Sequence, residues 1–141
     1  MRKLIIGLFA ILLLASCAQH APTKITRYTI NPWESDIGYA AVVQTGDAYH
    51  ISGVTCGGLN YQEAVTVCYK ELGGILARYQ LTAQNVVKEN IYALDIEALK
   101  QQIPVRKKFY GDGQFPAATW VQVSRLYSPE HLIEIELIAV K

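Results

Sequence analysis

Polar and apolar residues alternate with a period of two in several short runs, a pattern that is typical of β-strands. In "YAAVVQTGDAYHISG", residues 40–44 and 48–52 flank the turn "TGD", and this arrangement predicts a β-hairpin. The run "NVVKENIYAL" predicts another strand, and residues 117–124 and 132–140 predict the last two.

One long segment shows the spacing of an amphipathic helix. Asn60 is a suitable N-cap, and Glu63 three residues later completes the pattern of a capping box. We expect this helix to end near Gln80. Its apolar stripe consists of Ala64, Val65, Cys68, Leu72, Ile75, Leu76 and Tyr79.

A second helix is expected to begin after Asp95 as its cap and to run to Phe109. Pro104 is expected to kink or interrupt it, because proline has no backbone N–H to donate. "GDGQFP" then breaks the chain before the last strands. The element order β-β-β-α-β-α-β-β predicts an α+β domain with helices on one face of a sheet.

The composition fits one packed domain. The chain has 141 residues, of which 51% are hydrophobic and 18% charged, so it can bury a core and does not belong with disordered chains. It carries 13 basic and 12 acidic residues, and removing Arg2 and Lys3 of the first sixteen residues leaves 11 against 12, a net charge of −1. This balance lacks the basic surface of a nucleic-acid binder.

The N-terminus has the features of an export signal. In "MRKLIIGLFAILLLASC", two cations precede an apolar run over residues 4–14, which is shorter than the roughly 20 residues that cross a bilayer. Residues 14–17, "LASC", resemble a bacterial lipobox, which implies cleavage after residue 16 and a lipid on the Cys17 sulfur. An ordinary signal peptide that contains a cysteine is the alternative. Ala18 follows the cysteine, where lipoproteins that stay in the inner membrane typically have aspartate. The absence of aspartate resembles lipoproteins sorted to the outer membrane, and we expect the protein there, on the periplasmic side.

The domain organisation follows from this end of the chain. Residues 1–16 are the predicted signal peptide, and residues 17–35 are the lipidated cysteine with a polar tether, in which 28–30 suit a first strand. Residues 36–141 are the predicted folded domain.

Four segments in the expected order resemble the RidA/YjgF family of enamine/imine deaminases: "IGYAAVVQTGDAYHISG", "VVKENIYALD", "FPAATWVQVSRL" and "IEIELIAV". The resemblance implies a chorismate-mutase-like fold, with a mixed six-stranded sheet and two helices packed on one face. It also implies a homotrimer with ligand clefts between subunits. The segment "VTCGGL" is shorter than the corresponding loop of the family, so this wall of the cleft is expected to differ.

The resemblance also assigns site residues. Family members bind a 2-imino acid through an arginine and activate water with a glutamate. By motif match Tyr39, Ser52 and Glu134 stand at the tyrosine, serine and glutamate positions, whereas Ala118 stands at the arginine. Trp120 stands at the next cleft-facing position, where its indole would be an apolar plug or a stacking floor.

Alternation along the strand places Ala118, Trp120 and Gln122 on one face. The family's asparagine on the second helix has no clear match, since Gln102 or Ile103 falls near its place. Because alanine offers no donor, the carboxylate clamp of the family is absent at residue 118.

Other arginines and acids receive structural interpretations. Arg125 matches a second arginine of the family and is expected to form an inter-strand or subunit salt bridge. Arg106 in "RKK" is expected on a solvated helix face. Glu136 shares a strand face with Glu134. The resemblance places Glu134 in the cleft wall, and we expect Glu136 to have a structural role.

The remaining cysteines and histidines give no strong site. An oxidising envelope would permit a Cys56–Cys68 disulfide, but the place of Cys68 on the apolar stripe favours a lone buried thiol. His50 and His131 lack metal-ligand spacing and are expected to be satisfied surface or core residues, and "CGGLN" lacks the lysine of a phosphate loop. No metal or cofactor is therefore predicted.

Two functions remain open on the sequence. The favoured one is a lipid-anchored binding or interaction module that no longer deaminates, because Ala118 replaces the arginine. The alternative is an altered enamine/imine deaminase, in which Tyr39, Ser52 and Glu134 hydrolyse an imine without a carboxylate.

Overall fold

A mixed six-stranded sheet forms the centre of the computed structural model, which describes residues 23–111 and 113–141. The strand order is β1-β2-β3-β6-β4-β5, in which β4 and β5 are parallel and the other neighbours antiparallel. The elements in chain order are β1 (Ile25–Tyr28), α1 (Trp33–Asp36), β2 (Val42–Thr45), β3 (Ala48–Cys56), α2 (Tyr61–Arg78), a 3-10 turn (Ala83–Asn85), β4 (Val86–Ala93), α3 (Ile96–Lys100), α4 (Ile103–Tyr110), β5 (Ala117–Gln122) and β6 (Ile133–Val140).

Strand β6 shows how the sequence pattern produces the core. Its residues alternate strictly between a buried face and a more accessible one. The buried face meets helix α2, whose predicted stripe supplies five buried side chains: Ala64, Val65, Cys68, Leu72 and Leu76. The predicted α+β class, with a mixed sheet and helices on one face, is thus confirmed.

The predicted N-cap of the first long helix is present, but Glu63 reaches the residue before the N-cap and does not close the regular capping box. The Asn60 side chain accepts a hydrogen bond from the Glu63 backbone N–H at 3.0 Å, while the Glu63 carboxylate accepts from the Leu59 N–H at 2.8 Å. The helix ends at Arg78, and Gln80 adopts a φ of 60°, in the left-handed region that ends helices.

The second helix is divided in two. Asp95 caps α3 by accepting from the backbone N–H groups of Glu97 and Ala98, as predicted. The helical course then breaks at Gln101 and resumes as α4, in which Pro104 lies in the first turn, where no donor is required.

Cys56 and Cys68 form a disulfide, and the expectation of a lone buried thiol is wrong. The predicted place of Cys68 on the apolar stripe is confirmed, since its side chain is fully buried. The stripe packs on the end of β3, and this contact brings the two Cα atoms to 5.7 Å, a separation that a disulfide spans.

A buried carboxylate lies beneath helix α4. Glu89 is fully buried and accepts hydrogen bonds from the Tyr69 hydroxyl at 2.8 Å, the Tyr110 hydroxyl at 2.8 Å and the Arg106 Nε at 2.7 Å. The Arg106 side chain is only 12% exposed. The prediction that Arg106 lies on a solvated helix face is therefore wrong, because this residue points inward to pair with a charge that the sheet buries.

The sheet begins inside the segment for which the sequence predicts a tether. Strand β1 pairs with β2 from Ile25 onward, a few residues before the strand expected at 28–30. The predicted signal peptide, Cys17 and Ala18 lie outside the described residues. Within residues 23–111 and 113–141, no helix is long and apolar enough to cross a membrane.

Candidate functional site

A cavity of about 830 Å³ opens beside the β2–β3 end of the sheet. Four segments form its wall: residues 30–41, residues 52–55, the C-terminal half of α2 and residues 127–134. Tyr39, Ser52 and Glu134, which the family resemblance places in a cleft, all line it. Sequence positions far apart in the chain are thus brought to one site.

A bulge in β3 shapes the floor of the cavity. The register with β6 shifts between Ile51 and Val54, so Ser52 and Gly53 stand outside the regular ladder. The Ser52 hydroxyl donates to the Ala40 carbonyl oxygen at 2.8 Å. This bond, with the backbone bond from Ser52 N–H to the carbonyl of residue 41 at 3.0 Å, ties the bulge to the wall at residues 39–41.

Glu134 lies against the bulge because Gly53 has no side chain. A Cβ atom at Gly53 would collide with the Glu134 carboxylate and would stand 2.7 Å from its Cδ. Partial burial raises the pKa of the Glu134 carboxyl, and the nearby Glu136 carboxylate raises it further. Such a carboxyl can hold or release a proton closer to neutral pH than an exposed glutamate.

Glu136 has a different environment on the same strand face. Its Oε1 accepts hydrogen bonds from the Asn90 side-chain amide at 2.5 Å and from the Tyr92 hydroxyl at 3.2 Å. It does not line the cavity. The two acids of "EIE" therefore have separate surroundings, and Glu134 is the one available to a ligand.

Tyr39 is placed as a donor in the cavity wall. Its hydroxyl donates to the Gly53 carbonyl oxygen at 3.0 Å, and its ring lies 5.6 Å from the Trp33 ring. Burial raises the pKa of the Tyr39 hydroxyl, and the negative charge of Glu134 also raises it, against a lowering contact with Ser52. Tyr39 is therefore protonated at neutral pH and cannot serve as a base.

Glu34, a buried residue of the cavity wall, has no signal in the sequence pattern. Its carboxylate accepts from the Ile30 N–H at 2.8 Å and from the backbone and side-chain N–H groups of Asn31, both at 3.0 Å. These bonds hold residues 30–34 together, and the half-exposed Trp33 contributes to the same wall of the cavity. Helix α1 has only four residues, too few for any periodicity to reveal it.

His131 also lines the cavity, contrary to the expectation of a satisfied residue. Its Nδ1 is buried and has no hydrogen-bond partner among the described residues. Arg78 of α2 and the exposed Tyr127 complete the polar and aromatic lining. His50 lies elsewhere, with its Nε2 3.3 Å from the Thr45 hydroxyl. In residues 23–111 and 113–141, no three His, Cys, Asp or Glu side chains group as metal ligands.

The other predicted site residues lie on β5, away from the cavity. Ala118 and Trp120 pair in register with the buried Glu89 and Ile91, so their side chains lie on the helix-covered face. β5 is the sheet edge farthest from β1, and neither Ala118 nor Trp120 lines the cavity of the same chain.

The candidates from the second helix and the loop after β5 also lie outside the cavity. Ile103 is 40% exposed, and the Gln102 side chain donates to the Ala98 carbonyl oxygen at 3.3 Å. Arg125 is exposed and forms no ion pair within the part of the chain that the structure describes, so the inter-strand salt bridge is not found there and the subunit salt bridge stays a prediction.

Comparisons with known proteins agree on one group. The family model for Endoribonuclease L-PSP matches residues 29–141. Rv2704 of Mycobacterium tuberculosis, a member of the YjgF/YER057c/UK114 family, is 25% identical, with a TM-score of 0.76 over 84% of this chain and 100% of its own. NMB1025 of Neisseria meningitidis, a YjgF protein, is 23% identical, with a TM-score of 0.75 over 86% and 98%.

Another structural relative is YyfA of Yersinia pestis, described as a protein of unknown function of the Rid family. It is 21% identical, with a TM-score of 0.70 over 80% of this chain and 90% of its own. The comparison with curated proteins finds no match.

Proposed function

The chain belongs to the endoribonuclease L-PSP family of RidA and YjgF proteins, and on this premise we propose that it is a lipid-anchored small-molecule-binding module that has lost the family's carboxylate-binding arginine. One observation carries the proposal: a cavity of about 830 Å³ gathers Tyr39, Ser52 and Glu134, while Ala118 offers no donor. Concave sites with aromatic walls and a few convergent polar groups are typical of ligand pockets.

The site is proposed to be completed in a homotrimer. In a single chain the strand edge with Ala118 and Trp120 is remote from the cavity. Contact between the β5 edge of one copy and the cavity of the next would unite all five predicted ligand-binding residues: Tyr39, Ser52, Ala118, Trp120 and Glu134. Sedimentation velocity is expected to give three times the mass of one chain, and a monomer at micromolar concentration would exclude a shared cleft.

The anchor is proposed to be a lipid on Cys17, at the outer membrane facing the periplasm. Two observations support export: the "LASC" motif and the Cys56–Cys68 disulfide, because such bonds persist in oxidising compartments. Cys17→Ser is expected to move the protein from the membrane fraction to the soluble periplasmic fraction. Retention of this variant in the membrane would contradict the lipid anchor.

The test of binding against catalysis uses 2-iminopropanoate generated in the cuvette. With the wild-type protein, 2-iminopropanoate is expected to hydrolyse no faster than in buffer alone, because no arginine at residue 118 fixes the imine carbon. The Ala118→Arg variant is expected to accelerate it. Wild-type activity would overturn the binding-module proposal.

An altered deaminase is the second candidate, and the position of Glu134 favours it. A carboxyl of raised pKa in a cavity, beside a tyrosine donor, suits proton transfer to and from water at an imine. Its substrate would be a neutral enamine or imine. Any activity that is detected should fall in the Glu134→Gln variant by about 100-fold or more, and unchanged activity would remove this candidate.

A further inference from the structure

The Glu134 carboxylate lines the cavity without a partner of its own. Its side chain is half-buried, yet it forms no hydrogen bond or ion pair with residues 23–111 or 113–141. The nearby hydroxyl donors are already used, since Tyr39 donates to the Gly53 carbonyl oxygen and Ser52 to that of Ala40. A partly buried charge without a donor or a counter-charge is costly. Glu134 is therefore an acceptor that the described chain leaves free for a ligand.

Acidic side chains outnumber arginine and lysine in the lining of the cavity. Glu34, Glu71 and Glu134 line it, together with Arg78 and His131. Three N–H groups already satisfy the Glu34 carboxylate. Glu71 and Arg78 are both exposed, lie about two turns apart on α2 and offset each other's charge. The charge that remains to be balanced inside the cavity is that of Glu134.

Aromatic rings stand beside this carboxylate. The centres of the Trp33 and Tyr39 rings are 5.6 Å apart, and both rings line the cavity with Tyr127. Trp33 is 52% exposed and Tyr127 is 81% exposed, so ring surface is open to a ligand. The Tyr39 hydroxyl reaches the same Gly53 against which Glu134 packs. Because the face of an aromatic ring attracts a cation, most strongly for tryptophan, the rings and the carboxylate favour the same ligand charge.

We infer that the cavity binds an organic ammonium ion, whose N–H groups donate to Glu134 and whose positive charge lies against the Trp33 and Tyr39 rings. A hydrogen bond between an ammonium and a carboxylate is stronger than one between neutral groups. Val54 and Ile75 supply apolar surface in the same cavity for the carbon skeleton of the ligand. A volume of about 830 Å³ has room for a ring or a short chain beside the ammonium group.

The inference rests on the proposed function and deepens it, since it gives the charge of the ligand in the same cavity. In the proposed homotrimer the β5 edge of the next copy would add Ala118 and Trp120, and neither side chain carries a charge. Burial and the Glu136 carboxylate both raise the pKa of the Glu134 carboxyl, and a bound ammonium would lower this pKa again. The absence of an arginine at residue 118 and the unpaired state of Glu134 thus both suit a cationic ligand.

The experiment uses the full chain in detergent micelles and three fluorinated probes that share one ring. At neutral pH 4-fluorobenzylammonium is a cation, 4-fluorobenzyl alcohol is uncharged and 4-fluorobenzoate is an anion. Titrations followed by ¹⁹F NMR give the affinity of each probe, with protein-free micelles as the reference for partition into detergent. The ammonium is expected to bind about tenfold more tightly than the alcohol, and benzoate more weakly than the alcohol.

Variants test the carboxylate and the ring separately. Glu134→Gln keeps the size of the side chain and removes its charge, and is expected to weaken ammonium binding about tenfold. Its affinity for the alcohol should stay within about twofold, which also shows that the cavity is intact. Trp33→Leu removes a ring and is expected to weaken ammonium binding severalfold. Glu130→Gln is the matched control, since Glu130 is exposed and does not line the cavity, and its ammonium affinity should stay within about twofold.

The outcomes separate the inference from the proposed function. Equal affinities for the ammonium and the alcohol, or tighter binding of benzoate, overturn the ammonium site but leave a cavity that binds small molecules. Unchanged ammonium affinity in Glu134→Gln means that the cation binds elsewhere, which also overturns the inference. If none of the three probes binds, the ammonium site and the proposed small-molecule cavity are contradicted together.

Discussion

The glycine at residue 53 and the glutamate at residue 134 form one unit. Glu134 can reach the cavity only because Gly53 leaves the space above the β3 bulge empty. The Tyr39 hydroxyl is fixed by the carbonyl of the same glycine. A side chain at residue 53 should therefore displace the Glu134 carboxylate.

Gly53→Ala tests this coupling. The added methyl group would overlap the Glu134 carboxylate, so we expect this side chain to turn away and Glu134-dependent binding or activity to fall about tenfold or more. Gly73→Ala is the matched control, since its Cβ would meet only Phe109 at an ordinary 3.5 Å. A crystal structure of each variant shows the carboxylate directly, and an unmoved Glu134 in Gly53→Ala would contradict the coupling.

The raised pKa of the Glu134 carboxyl predicts a pH dependence of stability. Because this pKa is higher in the fold than in the unfolded chain, folding favours the protonated form, and stability is lost as pH rises through the folded pKa. Glu134→Gln removes this loss. The Tm of the variant minus that of wild type should grow from pH 4 to pH 7.

The exposed Glu130→Gln serves as the control for this series, and its Tm difference is expected to stay flat over the same range. Thermal unfolding followed by circular dichroism gives both values. A Tm difference for Glu134→Gln that shrinks with rising pH would contradict a raised pKa of the Glu134 carboxyl.

At the scale of elements, a disulfide and an ion pair are among the contacts that join helices to the sheet. The Cys56–Cys68 disulfide joins the end of β3 to the middle of α2, and the Glu89–Arg106 pair joins β4 to α4. The sequence pattern favoured a lone thiol at Cys68 and did not predict the Glu89–Arg106 pair, because each contact depends on which face of an element meets which neighbour. Alternation predicted that β4 is a strand, but it did not predict that a carboxylate lies on its buried face.

Removal of the disulfide should lower the stability of the fold. Cys56 and Cys68 are 12 residues apart, and closing a loop of this size stabilises a protein by about 3 kcal/mol through the unfolded chain. Urea denaturation of the wild-type protein with reductant should show this loss. The double variant Cys56→Ala/Cys68→Ala should be insensitive to reductant, and a wild-type protein equally insensitive would mean that the thiols are not paired.

The ion pair gives a double-mutant cycle. Arg106→Met leaves Glu89 buried without its cation and is expected to cost about 3–5 kcal/mol of unfolding free energy. In Glu89→Gln/Arg106→Met the buried charge is gone, and much of that cost should be recovered. Additive losses in denaturation experiments would show that the two side chains do not depend on each other.

At the scale of the whole molecule, the strand order separates the two halves of the site. The cavity is lined by the segment before β2, by β3, by α2 and by residues 127–134, while Ala118 and Trp120 lie on β5 at the other edge. A ligand that contacts both halves needs two copies of the chain. The proposed homotrimer and the proposed shared cleft are therefore linked by the topology.

The sequence by itself determined the long helix with its N-cap, the strands from β2 onward and the family, because alternation, helical spacing and capping residues are local properties of the chain. It also identified Tyr39, Ser52 and Glu134, through motifs that the structure brings to one cavity. Only the tertiary structure decided the disulfide, the burial of Glu89 and the inward course of Arg106. These depend on contacts between residues distant in sequence, and no local pattern specifies which side chains will meet when the sheet and helices pack.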